Sequence, residues 1–372
     1  MINIIIPAFL ILCFYNVKFS GEKFNLDNLS RSNTNSMKGL FAVSIIFCHL
    51  SEMPNVESFY FFRGTGNLAV SMFFFLSGYG LMCSYEKNGL NNFFKKRFST
   101  VLIPFLFVQL FSFIFFHYLP AVQGLTEETY NIKNLLLKFV KSGSTLTINA
   151  WYIYEILLMY LEFWLAFKIG GKNKKAGTIL IVVFTLLTTV FFGVLTYKTE
   201  WKQFWAYSLP AFAYGIIWQG SRKEKIEARL QKNYYAKLLI FITLTVLLFF
   251  SYKLFEKIDI IQAHNISPKY LSRYLTSPFF VTTVLLVSMK FKSNNIILDK
   301  LGNISYELYL YHGFVYCLLR SGTFAYVEND TLFAILVLLV TIDISIVMKY
   351  ISKKITHILF YKKQSEVRIG KK

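Results

Sequence analysis

The sequence predicts an all-α polytopic membrane protein, with about 10 core transmembrane helices and one extra N-terminal helix. Three observations carry this. The 372-residue chain is 55% hydrophobic, with 40 Phe and 24 Tyr, and only 16% of it is charged, against about 25% in soluble domains. Its apolar runs recur at about the ~20-residue length that crosses a hydrocarbon core. The loops between these runs alternate between rich and poor in Lys and Arg.

In chain order, spans are expected at 2–17, 39–56, 66–84, 100–120, 150–169, 176–195, 203–219, 238–254, 275–290, 302–319 and 331–349. The first, INIIIPAFLILCFYNV, has no cationic n-region before it and no small-x-small cleavage site after it, so it reads as a retained span rather than a signal peptide. Most prolines fall at expected span ends, among them Pro54, Pro104, Pro120, Pro210 and Pro278, where helices start or stop. Loop 220–237 (GSRKEKIEARLQKNYYAK) has Glu and Arg at helix-supporting spacings and reads as a surface helix. The tail after Lys349 mixes bulky apolar with basic residues, as an interfacial segment does. These boundaries give an N-terminal span and cytosolic linker (1–37), a membrane domain (38–349) and a basic cytosolic tail (350–372).

Every second loop is basic, and those loops hold 29 of the 40 Lys and Arg. This positive-inside asymmetry places the C-terminus and the start of the 39–56 span in the cytosol. It also assigns the +20 net charge to topology and anionic lipid headgroups rather than to nucleic acid. A multi-pass protein of the cytoplasmic (inner) membrane is expected. The richness in Ile, Asn, Lys and Phe hints at an AT-rich bacterial genome. The four cysteines (Cys13, Cys48, Cys83, Cys317) have no metal-ligand spacing and suggest no disulfide framework. No metal is expected, and no Walker A, Rossmann, zinc-protease or G-x-S-x-G motif is present. No fixed-period repeat is visible, which weighs against an inverted-repeat transporter.

Ionisable side chains inside spans are costly and mark function. The candidates are His49, His117, Glu155, Glu162, Glu307, His312 and Asp343. Lys38 precedes His49 by eleven residues, about 1100° of helix, so the two share a face with the ring about 16 Å deeper than the ammonium. A cytosolic cation above a buried base suits a long anionic substrate, its phosphates at the lysine and its reactive end at the histidine. His312 closes LGNISYELYLYH (301–312), with Ser305 and Tyr309 on its face. Glu155 and Glu162 share a face with Trp151 and Leu158, and Glu155 is placed to bind an acceptor hydroxyl or to orient a histidine. Each of these residues also fits a purely structural hydrogen bond between helices.

Together these stretches resemble the acyltransferase-3 family, integral membrane O-acyltransferases of cell-surface glycans. The resemblance rests on Lys38-x10-His49, GNLAVSMFFFLSGYGL (66–81), FKKRFSTVLIPF (94–105) and LGNISYELYLYH, with a weaker match in NAWYIYEILLMYL. These run in the family's order from about residue 33 to 319. The resemblance implies that His49 is the catalytic histidine, that Lys38 and Arg97 contact the acyl-CoA, and that Ser77 and Gly78 line the passage near the acyl group. It puts His312 in the late signature. Two departures stand out. Lys38 and Asn35 replace the family's usual Arg and Asp, and Ser99, Thr100 and Val101 follow Arg97 where a second Arg is common. Lysine lacks the planar fork of arginine at a phosphate, so donor affinity and acyl preference are expected to differ. Many members carry a secreted SGNH hydrolase-like domain after the spans, which this chain is expected to lack.

The expected activity is therefore transfer of an acyl group, acetyl rather than succinyl, from cytosolic acetyl-CoA as co-substrate. The acceptor is expected to be a hydroxyl of a surface polysaccharide or lipid-linked oligosaccharide, reached directly or through an acyl-histidine. The rival expectation is a translocase of a polysaccharide or lipid-linked sugar, which needs a midplane binding site but no CoA phosphate site.

Overall fold

The computed structural model describes residues 2–53, 57–118, 132–143, 150–199, 201–202, 204–220, 223–255, 268–320 and 325–360. In chain order the elements are α1 (Ile2–Phe14), β1 (Val17–Phe19), α2 (Arg31–Leu50), a 3-10 turn (Glu57–Phe62), α3 (Gly66–Asn88), α4 (Phe93–Tyr118), α5 (Ile132–Ser142), α6 (Trp151–Gly170), α7 (Lys174–Lys198), α8 (Phe204–Tyr207), α9 (Pro210–Gln219), α10 (Lys223–Gln231), α11 (Tyr234–Phe255), α12 (Pro268–Lys290), β2 (Phe291–Ser293), α13 (Ile296–Asn303), α14 (Ser305–Arg320) and α15 (Asp330–Phe360). They group into two units, one of residues 1–52, 57–90 and 161–303, the other of 53–56, 91–160 and 304–372.

A helix lies on every expected span, and α3, α7, α11 and α15 are long and apolar enough by themselves to cross a membrane. Their outward faces are aliphatic: Ile179 and Leu187 on α7, and Leu239 and Leu247 on α11, are all exposed. In water such faces would be costly, whereas in lipid they are solvated. α1 is 13 residues long, about 20 Å, and so shorter than a hydrocarbon core of ~30 Å.

In the first unit the polar groups turn inward. Ser277 donates to Ser71 (2.8 Å), Ser71 to Ser208 (3.2 Å), and Ser208 to the Asn67 side chain (2.7 Å), joining α3 and α12 to the break between α8 and α9. This break divides the expected 203–219 span. Pro210 has no N–H to continue a helix and instead opens α9. Glycines let backbones touch. A Cβ on Gly78 would lie 2.1 Å from the Phe212 carbonyl oxygen, and one on Gly215 would lie 2.1 Å from that of Phe75, so α3 and α9 pack almost without side chains between them.

β1 and β2 pair antiparallel, Val17 opposite Ser293, a pairing too short to read from sequence. Behind it the buried Lys290 donates to the carbonyls of Gly21 (2.8 Å), Glu22 (3.0 Å) and Lys23 (3.3 Å), with its ammonium 4.0 Å from the Phe24 ring centre. Lys290 is the last residue of α12, at the helix end where its basic loop was expected to begin, but it is buried rather than solvated. Its charge is tolerated because three carbonyl dipoles and a ring replace water.

In the second unit, α14 and α15 are joined by Arg320, which pairs with Asp330 and lies 4.2 Å over the Phe333 ring centre. The Tyr306 hydroxyl donates to the Val101 carbonyl (2.7 Å) on α4. Two prolines expected at helix ends sit inside helices, Pro104 in α4 and Pro278 in α12, because those helices start seven residues earlier than expected. The loop at 121–149 contains α5. Residues 350–360 continue α15 as helix, and 361–372 lie outside the described residues. α10 is a surface helix without buried residues, as expected.

Candidate active site

α2 carries both Lys38 and His49 on one uninterrupted helix, so the one-face relation expected from their spacing holds. The helix ends just past the histidine. Ser51 donates through its hydroxyl to the Cys48 carbonyl, and the Glu52 N–H bonds the His49 carbonyl at 3.1 Å, tightening the last turn. That tightening folds Glu52 back, so its Oε2 lies 2.9 Å from Nδ1 of His49. The imidazole is 18% exposed and the carboxylate 50%. With Nδ1–H donating to Glu52, Nε2 is the ring's proton acceptor, the orientation a carboxylate imposes in histidine-based catalysis. The other Glu52 oxygen is 3.8 Å from the Cys48 thiol, whose sulfur accepts the Gly66 N–H at 3.3 Å and ties the end of α2 to the start of α3.

The opposite end of α2 is held by the late signature. A Cβ on Gly302 would fall 1.9 Å from the Asn35 carbonyl oxygen, and one on Gly39 would fall 2.2 Å from that of Leu298. Asn35 donates its side-chain N–H to Asn303 (3.2 Å). The LGN of LGNISY is thus the contact that seats α2 one turn from Lys38. Ser77 is half-buried on α3, and Gly78 is buried at the α9 crossing, which accounts for its being glycine.

The second unit holds the remaining expected residues. Arg97 on α4 lies 6.0 Å over the Tyr160 ring centre. The Tyr309 ring packs on Tyr152 (5.3 Å) and on His312 (5.7 Å), and His312 is fully buried. Nδ1 of His312 lies 3.2 Å from the Leu308 carbonyl, which can only accept, so this nitrogen carries the proton. Glu155 is 1% exposed, and neither of its oxygens has a hydrogen-bond partner among the described residues. It lies within electrostatic range of Tyr309. A buried carboxyl without a hydrogen bond among the described residues is costly to hold in its charged form. Ser305 is buried at the start of α14, and Trp151 is half-buried at the start of α6.

Other ionisable groups have structural partners or face outward. Glu162 accepts from Thr188 on α7, Glu307 is 3.4 Å from the Lys349 ammonium, and Asp343 is exposed on α15. The His117 side chain lies outside the described residues. Glu52 is the functional candidate that sequence reasoning missed. It fell in the expected 39–56 span but drew no attention beside the histidine, although His-x-x-Glu is an i, i+3 pair.

A helical protein with such exposed aliphatic faces is a membrane protein, and its α2 ends in a histidine paired with a carboxylate. The chain belongs to the acyltransferase-3 family: its model, an acyltransferase domain, matches residues 32–350. The molecule is a membrane acyltransferase. Neither a curated protein nor a solved structure matches the chain.

Proposed function

We propose that this acyltransferase moves an acyl group, most simply acetyl, from cytosolic acyl-CoA to a hydroxyl of a surface polysaccharide or lipid-linked glycan. The single observation that carries the reading is the His49–Glu52 pair at 2.9 Å on the helix that also bears Lys38. In the direct form of the reaction, Nε2 of His49 takes the acceptor hydroxyl proton as the oxygen attacks the thioester carbonyl. The C–S bond breaks, and the imidazolium returns the proton to the leaving CoA thiolate. Glu52 holds the ring in the required tautomer and balances its transient charge.

Lys38 is assigned to the CoA phosphates as a charge-assisted donor, and Arg97 is assigned as a second donor contact. Ser77 is assigned to the acyl passage, with Gly78 there as a packing residue that keeps the wall narrow. Trp151, Glu155, Ser305, Tyr309 and His312 are assigned to acceptor recognition. The charge pattern of the loops supports a cytosolic C-terminus and an inner-membrane location.

The test uses protein purified into nanodiscs with radiolabelled acetyl-CoA and cell-envelope glycan. CoA release and label transfer that vanish in His49→Ala and weaken in Lys38→Ala are the expected result. No binding or turnover of acetyl-CoA by wild type would overturn the choice of donor.

A further inference from the structure

Away from His49, a cleft of about 380 Å³ opens in the first unit between α3, α7 and α9, within the size range of small-molecule sites. Its walls are aliphatic, including Met82, Ile179, Val183 and Ile217, and Lys174 and Lys175 stand at one end. Ile179 is 63% and Val183 42% exposed, so the cleft opens on the aliphatic, lipid-facing side of α7. From Lys174 to Val183 it runs nine residues along that helix, about 13 Å.

The charge at its rim is defined. The Lys174 ammonium is 3.8 Å from Oε1 of Glu86, whose Oε2 accepts from the Gln219 side chain at 2.9 Å. The two lysines outnumber the one carboxylate that pairs with Lys174, so this end of the cleft is cationic. Both lysines occupy the first turn of α7, where the helix dipole is also positive and adds to their field. An occupant matching this cleft has an alkyl chain about a dozen ångströms long and an anionic end. A nucleotide thioester with a short acyl group carries several charges and little alkyl surface.

We propose that the cleft is a binding site for an anionic phospholipid, its phosphodiester on Lys174 and Lys175 and one acyl chain along Ile179, Val183 and Ile217. The lipid fills the gap where α7 diverges from α3 and α9, acting as a structural ligand of the first unit.

Native mass spectrometry of the full-length protein released from detergent, titrated with phosphatidylglycerol or chain-matched phosphatidylcholine, tests this. Wild type is expected to bind phosphatidylglycerol at least tenfold more tightly. Lys174→Gln with Lys175→Gln should lower that affinity roughly 30-fold, about fivefold per lysine, while leaving phosphatidylcholine unaffected. Lys353→Gln with Lys354→Gln, an equal charge loss on α15, should change nothing. Ile179→Trp, which fills the apolar wall, should weaken both lipids and serves as the test should the lysine pair fail to fold. Equal loss in the α15 control, unchanged affinity in both cleft variants, or displacement of the lipid by equimolar acetyl-CoA would each overturn the proposal.

Discussion

Glu52→Gln is the change that separates an oriented catalytic histidine from one that merely sits on α2. The substitution keeps the side-chain shape and a hydrogen-bonding oxygen but removes the charge opposite Nδ1 of His49, 2.9 Å away. A hydrogen bond to a charged group contributes about 1.5–3 kcal/mol when shielded. Here the carboxylate is half exposed, so screening leaves about 1.5 kcal/mol, close to tenfold in rate. The expected result is a fall in kcat of about tenfold with little change in KM for the acyl donor. His49→Gln should cost about 10²- to 10⁴-fold, the usual contribution of a general base. The decisive arm is the double variant: once His49 is gone, removing Glu52 should cost nothing further, because the carboxylate acts only through the ring. Turnover assays in nanodiscs on all four proteins complete the cycle. Full activity in Glu52→Gln, or an additive loss in the double variant, would refute the pairing as part of the mechanism.

Other substitutions follow from the same geometry. Glu155→Met should raise the melting temperature, since it replaces a buried carboxyl with no hydrogen bond among the described residues by an apolar side chain, while lowering turnover at least tenfold; a destabilised variant would mean that the carboxyl has a structural partner. Gly302→Ala should lower stability by about 3 kcal/mol, because its Cβ would meet the Asn35 backbone at 1.9 Å, whereas Gly80→Ala, with open space around it, should be neutral or stabilising in the same unfolding assay. Lys290→Met should free the carbonyls of Gly21, Glu22 and Lys23 and speed limited proteolysis between residues 17 and 25. Lys38→Ala should raise KM for acetyl-CoA about tenfold, with Lys38→Arg recovering most of it.

Apolar runs, alternating basic loops and buried ionisable residues determined a great deal without coordinates, because each reflects a solvent rather than a partner. A run of Leu, Ile and Phe of span length is helical in lipid whatever packs beside it, and α3, α7, α11 and α15 lie where the runs said. The eleven-residue step from Lys38 to His49 is likewise a local property of one helix. What only tertiary structure decided is everything that depends on a neighbour distant in sequence. Gly302 and Asn303 seat α2 from more than 250 residues away. Lys290 is buried because the 21–23 carbonyls surround it, and Glu52 becomes a candidate because the last turn of α2 closes over it. Glu155 differs from Glu162 in the same way: they share a helix and seven-residue spacing, yet Glu162 meets Thr188 while Glu155 meets no hydrogen-bond donor among the described residues. Periodicity shows which face a side chain is on, whereas the cost of burying it depends on what the fold brings to that face.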